Sequence, residues 1–293
     1  MENHVNPAAH TLIEALPYIR RWSGKTIVVK YGGNAMTDET LKRSVAEDLV
    51  LLQHVGIKVV AVHGGGPMIN QMMDRLGLES QFVGGLRVTD AETMRIAQMV
   101  LVGQINQELV SLINLSGSKA IGLSGKDANL IRCEKLTHPE GDLGHVGRVV
   151  AIDSSVIHTL TDAGFIVVLS SIGVGDEGES YNVNADTVAG ELAGALNAEK
   201  LVTLSDVRGI FGDVKDETSL ISRLTLDEAR ELMATDVISK GMIPKLESCI
   251  IALEKGVHRA HMIDGRLRHA ILTELFTDEG IGTMLEGPAL PWT

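Results

Sequence analysis

The chain has 293 residues, of which 44% are apolar, 22% charged and only 3% aromatic. That allows one large α/β domain or two lobes built on an aliphatic core. A formal net charge of −12, with no dense Lys/Arg run, argues against nucleic acid or an anionic membrane surface as partner.

Residues 1–24 come first, with Leu12, Leu16 and Ile19 on one helical face and Trp22 close by. A lone short helix is marginal in water, so it docks either on its own subunit or on another chain. A strand is predicted at Thr26–Lys30, a helix at Thr40–His54, a strand at Lys58–Val62, and helices at Met68–Gly77 and Ala91–Leu115. A strand at Ala120–Leu123 is followed by a Gly- and Pro-bearing segment, Arg132 to Val150, expected as a hairpin excursion over a crevice. Then come helix Ser154–Ala163, strand Ile166–Ser170, helix Ala185–Asn197 and strand Leu201–Leu204. Helices Leu226–Ala234 and Pro244–Lys255 and strand Ala260–Ile263 complete the order. The strands are continuous apolar runs without alternation, which implies cover on both faces. Strand-then-helix order predicts an α/β fold, a three-layer sandwich around a mainly parallel sheet with right-handed crossovers. A soft boundary near Asn197 would divide an N-terminal lobe, 25–197, from a C-terminal lobe, 198–293.

Cys133 and Cys249 lie far apart without metal-ligand spacing, which suits reduced core thiols in a cytosolic protein. No apolar run is expected to reach the roughly 20 residues of a membrane span, and no basic-then-apolar leader is evident. The expected location is the cytoplasm.

The strand ends carry the chemistry. Lys30-Tyr31-Gly32-Gly33 and His63-Gly64-Gly65-Gly66-Pro67 each deliver bare backbone to the carboxyl edge of a sheet, where ligands of open α/β folds bind. Amides without side chains approach an anion closely, and Pro67 opens a helix whose N-terminus favours negative charge. Lys30 must either snorkel to solvent or meet an anion. Arg87, taken alone, reads as a surface charge or as a bidentate grip on a carboxylate, with Thr89 or Asp90 capping the next helix. Asn182, Asn184 and Asp186 sit together ahead of a helix, more polar groups than one cap needs. Asp206 through Phe211 follow a strand and suit either an ordinary turn or a nucleotide. Lys245 follows a helix-opening proline and, opposite Lys30, would complete a two-cation clamp.

Two lookalikes are set aside. Ser23-Gly24-Lys25-Thr26 lacks the leading glycine of a P-loop, since Ile19 stands there, and precedes a strand instead of following one. Gly173-Val174-Gly175-Asp176-Glu177-Gly178 matches a dinucleotide fingerprint. Its acidic residues would repel a pyrophosphate, and no helix opens within it.

Together these motifs resemble the amino-acid kinase family. Lys30–Gly33 and Asp206 match it broadly. His63–Gly66, Gly85–Thr89, Asn182–Asp186 and Gly241–Lys245 resemble its branch acting on N-acetyl-L-glutamate in arginine biosynthesis. The resemblance covers essentially the whole chain. It implies an ATP-dependent kinase that phosphorylates the γ-carboxylate of N-acetyl-L-glutamate, with Mg²⁺ bridging the β- and γ-phosphates and few protein ligands. Lys30 and Lys245 would neutralise the moving phosphoryl group, and Asp186 would orient both. Gly32, Gly33 and Gly65 would donate amides to it. Gly65, Gly66, Arg87 and Asn182 would hold the acid, and Asp206, Val207, Arg208, Gly209, Ile210 and Phe211 would line the ATP pocket.

The N-terminal extension and the tail Gly280-Ile281-Gly282-Thr283-Met284 resemble the arginine-inhibited, hexameric members, whose N-terminal helices interlace. That implies an L-arginine site drawn from Tyr18, Lys215, His269, Glu274 and Gly282. It also leaves room for control by a PII signalling protein. A kinase acting on N-acetyl-aminoadipate or carrier-linked glutamate would share the motifs. A sensor that binds without turnover would not need both lysines and Asp186.

Overall fold

The computed structural model describes residues 7–213, 216–235, 238, 241–278 and 280–287. Helix α1 (Pro7–Trp22) leads into β1 (Thr26–Tyr31), α2 (Glu39–His54), β2 (Lys58–His63) and α3 (Gly66–Arg75). A short ribbon, β3 (Phe82–Val83) and β4 (Leu86–Arg87), precedes a helical rod of α4 (Ala91–Gln98), a π-helical stretch (Met99–Asn106) and α5 (Gln107–Leu115). Next are β5 (Ala120–Ser124), β6 (Ile131–Lys135), β7 (Gly147–Ile152), α6 (Ser155–Asp162), β8 (Ile166–Ser170), β9 (Ile172–Val174) and β10 (Ser180–Asn182). The rest is α7 (Ala185–Ala195), β11 (Lys200–Ser205), β12 (Arg223–Thr225), α8 (Leu226–Met233), α9 (Ile243–Glu254), β13 (Arg259–Asp264), α10 (Ala270–Phe276) and β14 (Thr283–Glu286).

The main sheet has eight strands in the order β12-β14-β13-β11-β1-β2-β8-β5. From β13 to β5 every neighbour is parallel, and these are the strands expected from apolar runs. At the other edge β14 is antiparallel to β13, with β12 parallel to β14. These two edge strands bury only Leu224, Thr283 and Leu285, too little to make an apolar run.

Alternation along β1 explains the three layers. Ile27 and Val29 join a core under α2, α3, the rod and α10, while Val28 joins a second core under α6, α7, α8 and α9. The expected boundary near Asn197 falls inside one continuous sheet, because β1 pairs with β11, Val29 opposite Val202. The expected hairpin over the crevice is β6–β7, and β9 and β10 extend it into a four-stranded sheet ordered β10-β9-β6-β7.

One expectation is corrected. The rod Ala91–Leu115 is 25 residues long and, by length and composition, apolar enough to cross a bilayer. Gln98, Gln104, Asn106 and Gln107 interrupt it and hid its length as an apolar run. Ala97, Leu101, Ile105 and Ile113 are buried in the first core, so a core helix accounts for the pattern.

Candidate active site

β1 and β2 are parallel neighbours with Tyr31 opposite His63, so both glycine corners emerge at the same sheet edge. Close approach favours glycine there. A Cβ on Gly65 would lie 2.4 Å from Ile105 Cδ1, and one on Gly32 would lie 2.8 Å from Lys30 Nζ. Gly33 has φ 72°, a conformation L side chains rarely adopt. With β4, β10 and the start of α7, these corners form a cleft of about 240 Å³. Lys30, Gly32, Gly33, Gly65, Gly66, Arg87, Asn182 and Asp186 all line it.

Two buried cations face this cleft in different states. Lys30 Nζ lies 2.9 Å from Asp186 Oδ1. The anion that Lys30 meets is therefore in its own chain. The pair is out of line for a hydrogen bond, so Oδ1 keeps capacity for a further donor. Asn184 Oδ1 caps α7 by accepting from the amides of Asp186, at 2.7 Å, and Thr187, which sets Asp186 in the first helical turn.

Arg87 is 8% exposed. Its guanidinium donates to Ser80 Oγ at 2.7 Å, Asn70 Oδ1 at 2.6 Å and Gly66 O at 3.3 Å, and it lies 4.8 Å from the centre of the Phe82 ring. None of these partners is charged, and no carboxylate pairs with Arg87 among the described residues. A buried charge held only by neutral groups calls for an anion. Burial also pulls the guanidinium pKa below its ordinary value. Asn182 Nδ2 donates to Thr89 Oγ1 at 3.2 Å, and Thr89 in turn donates to Arg87 O. Asp90, not Thr89, caps α4. Asn70 and Ser80 escaped the sequence reading. They are ordinary polar residues, and only the folded ribbon brings them to Arg87.

Lys245 does not line the cleft, and its ammonium donates to Gly241 O at 3.0 Å. Its helix, α9, packs on α7, where Ser248 Oγ donates to Asp186 O at 2.6 Å. Asp206 follows β11, the other neighbour of β1, and its Oδ1 lies 3.0 Å from where a Gly33 Cβ would stand. From there the turn runs through exposed Val207 and Arg208, and the buried Ile210 amide donates to Thr283 Oγ1 at 2.8 Å. Gly209 packs on Thr283, and Phe211 bridges to Leu220.

Of the residues suggested for arginine, Glu274 lies on α10, His269 stands at its N-cap and Tyr18 reaches the segment after it, whereas Gly282 packs on Met262 and Arg208. Tyr18 Oη donates to Asp278 Oδ1, and Trp22 Nε1 to Leu275 O at 3.2 Å. Glu274 is engaged at both oxygens, by His261 Nδ1 at 2.6 Å and the Ile281 amide at 2.9 Å. His269 Nδ1 lies 2.6 Å from Asp48 Oδ1. Lys215 lies outside the described residues. No three His, Cys, Asp or Glu side chains converge as a metal cage among the described residues.

The profile of the Amino acid kinase family matches residues 25–264. The chain belongs to the amino acid kinase family. A relative named acetylglutamate kinase, from Thermoanaerobacter pseudethanolicus, is 57% identical over 277 residues, 94% of this chain and 92% of its own length. In three dimensions the chain resembles N-acetylglutamate synthase from Neisseria gonorrhoeae complexed with coenzyme A and N-acetyl-glutamate, at TM-score 0.86 and 28% identity. The match covers 97% of this chain and 65% of that one, so the chain spans about two thirds of that protein. The same synthase complexed with coenzyme A and L-arginine matches at TM-score 0.81 and 27% identity, over 97% of this chain and 66% of that one.

Proposed function

We propose that the protein transfers the γ-phosphoryl group of ATP to the γ-carboxylate of N-acetyl-L-glutamate, giving N-acetyl-L-glutamyl 5-phosphate for arginine biosynthesis. The observation that carries the reading is Arg87, a buried guanidinium with only neutral partners, in a cleft that Lys30 and two glycine corners also line. The guanidinium suits the α-carboxylate of a small acid, and the lysine with the bare corner amides suits a phosphoryl group. The high identity to relatives named acetylglutamate kinase supplies the acid.

A carboxylate of pKa near 4 is already ionised at neutral pH, so the reaction needs no general base. Its oxygen attacks the γ-phosphorus, the bond to the β-phosphate oxygen breaks, and that electron pair leaves on ADP. No proton moves. Catalysis is positioning and charge neutralisation. Lys30 and the amides of Gly32, Gly33 and Gly65 receive the moving oxygens. Lys245, exchanging Gly241 O for the open Oδ1 of Asp186, completes the clamp as the lobes 25–197 and 198–293 close on acid and ATP respectively. Asp206 to Phe211 hold the nucleotide. Mg²⁺ would neutralise the phosphate charge, and Asp206, beside Gly33, is the carboxylate that would hold that ion or its waters, since Asp186 would serve the two lysines.

The proposal extends to feedback inhibition by L-arginine at α10, a cytoplasmic homohexamer joined through residues 1–24, and PII as a further partner. Resemblance to a synthase solved with L-arginine supports the first of these. Hydroxylamine trapping of acyl phosphate, with ATP and N-acetylglutamate or N-acetyl-aminoadipate, with and without arginine, tests the reading. Trapping with aminoadipate alone overturns the substrate assignment.

A further inference from the structure

His63, the last residue of β2, is fully buried, at 0% exposure. Its Nδ1 lies 2.9 Å from Gly64 O. A carbonyl only accepts, so Nδ1 carries the proton and Nε2 is a bare acceptor. Asn106 Nδ2 supplies that acceptor at 3.2 Å and also donates to Val168 O at 3.0 Å, with Leu123 O farther off at 3.4 Å. Flipping the amide would set oxygen against both carbonyls. The two shortest contacts use both amide hydrogens.

The π-helical stretch makes this possible. Asn106 is its last residue, and its Leu101 and Ile105 side chains fill the space where a Gly65 Cβ would stand. A Cβ on Gly122 would lie 1.8 Å from Asn106 Oδ1, so a side chain there would displace the Asn106 amide. Closing the π turn to an α turn would swing the following residues by about 100° and carry Asn106 off the ring.

In a trans peptide the C=O and N–H point opposite ways. With Gly64 O turned to the buried ring, the Gly65 N–H turns away from it, on the side of the cleft that Gly65 lines. It donates to no acceptor among the described residues. Three consecutive glycines would otherwise let this peptide rotate freely. We propose that His63, oriented by Asn106, is a positioning residue that aims the Gly65 amide at the transferring phosphoryl group. The inference rests on the kinase reading above. Burial lowers the His63 imidazole to about 4, so the ring stays neutral at working pH.

The test compares His63→Asn with His63→Gln. An asparagine amide falls near the Nδ1 position and can still hold Gly64 O, whereas a glutamine amide falls near Nε2 and cannot. Losing an oxyanion donor outright costs about 10²–10³ in rate. Misaiming one is expected to cost His63→Gln and Asn106→Ala about ten- to a hundredfold in kcat for acyl phosphate, with KM for ATP unchanged. His63→Asn is expected to exceed His63→Gln by about tenfold. A space-filling role reverses that order, because glutamine is closer in volume, and overturns the proposal. Independently, ¹⁵N NMR of the wild-type protein without substrate is expected to show an unprotonated Nε2. A proton on Nε2 overturns the proposal even if a variant fails to fold. Absence of acyl phosphate from the wild type defeats the kinase reading instead, and the nitrogen signature tells the two failures apart.

Discussion

Lys30 Nζ and Asp186 Oδ1 lie 2.9 Å apart, with their side chains only 7% and 11% exposed. Each charge tolerates burial because of the other, and removing one strands its partner at a cost of about 3–5 kcal/mol. Lys30→Ala is therefore expected to lower both the melting temperature and kcat, the latter by about 10²–10³. The double variant Lys30→Ala/Asp186→Ala should recover part of the stability and none of the activity. Calorimetry and the hydroxamate assay read the two effects. Near wild-type turnover in folded Lys30→Ala would remove the lysine from the mechanism.

Arg87 lines the same cleft, held by Asn70 and Ser80. Arg87→Ala should raise KM for the acid substrate while leaving ATP affinity unmoved. Arg87→Lys should not rescue it, since a single ammonium cannot reproduce the fork that Asn70, Ser80 and a carboxylate share. A change confined to ATP affinity would place the acid elsewhere.

Lys200 supplies a pH prediction. It lies 4.5 Å from the centre of the Trp22 ring and 3.2 Å from His261 Nε2. Burial lowers its pKa to about 8 from the ordinary 10.5. Between those values the unfolded chain binds more protons than the native one, so this group makes stability rise with pH from about 8 to 10.5. Below about 8 the native ammonium carries its full burial cost, up to about 3 kcal/mol at 1.36 per unit. Lys200→Met should raise the melting temperature at pH 7 and flatten the alkaline slope. Melts from pH 6 to 10.5 decide it, and an unchanged slope would rule it out.

Helix α1 is divided in exposure. Leu12 and Ile13 are 69% and 68% exposed, whereas Trp22 is 3% exposed in the core. The Trp22 end thus docks on its own subunit, and the proposed hexamer would use the exposed apolar start. Removing residues 1–16 should turn hexamers into dimers and abolish arginine inhibition without lowering the melting temperature. Removing 1–24 should also cost about 3–5 kcal/mol through loss of Trp22. Sedimentation after the shorter truncation is the check, and an intact hexamer would refute interlacing.

Burial raises both thiols, Cys133 and Cys249, to about 12. Neither should react with a disulfide reagent at pH 8 until denaturant is added, and both should then titrate. Fast labelling of the native protein would show that one of them is reachable.

Lys30, the two glycine corners, Asn182 and Asp186 were readable before folding, because each carries a local constraint, whereas Arg87 taken alone read as a surface charge and gained its role only beside the other motifs. A charged residue ending an apolar strand, consecutive glycines and a crowded helix start all violate ordinary composition within a few residues. The edge strands β12 and β14, by contrast, bury too few side chains to mark themselves, and the rod's polar interruptions hid how apolar its predicted span, Ala91–Leu115, is as a whole.

The amino-acid sequence alone determined the core strands, their mainly parallel sense and the chemistry available at their edge, because periodicity and glycine placement act over short stretches. Only the tertiary structure decided which polar groups meet. Asn106 reaches His63 across 43 positions, and Asn70 reaches Arg87 across 17. A hydrogen bond fixes distance and direction in space and leaves no spacing rule along the chain, so those partners emerge only when the layers pack.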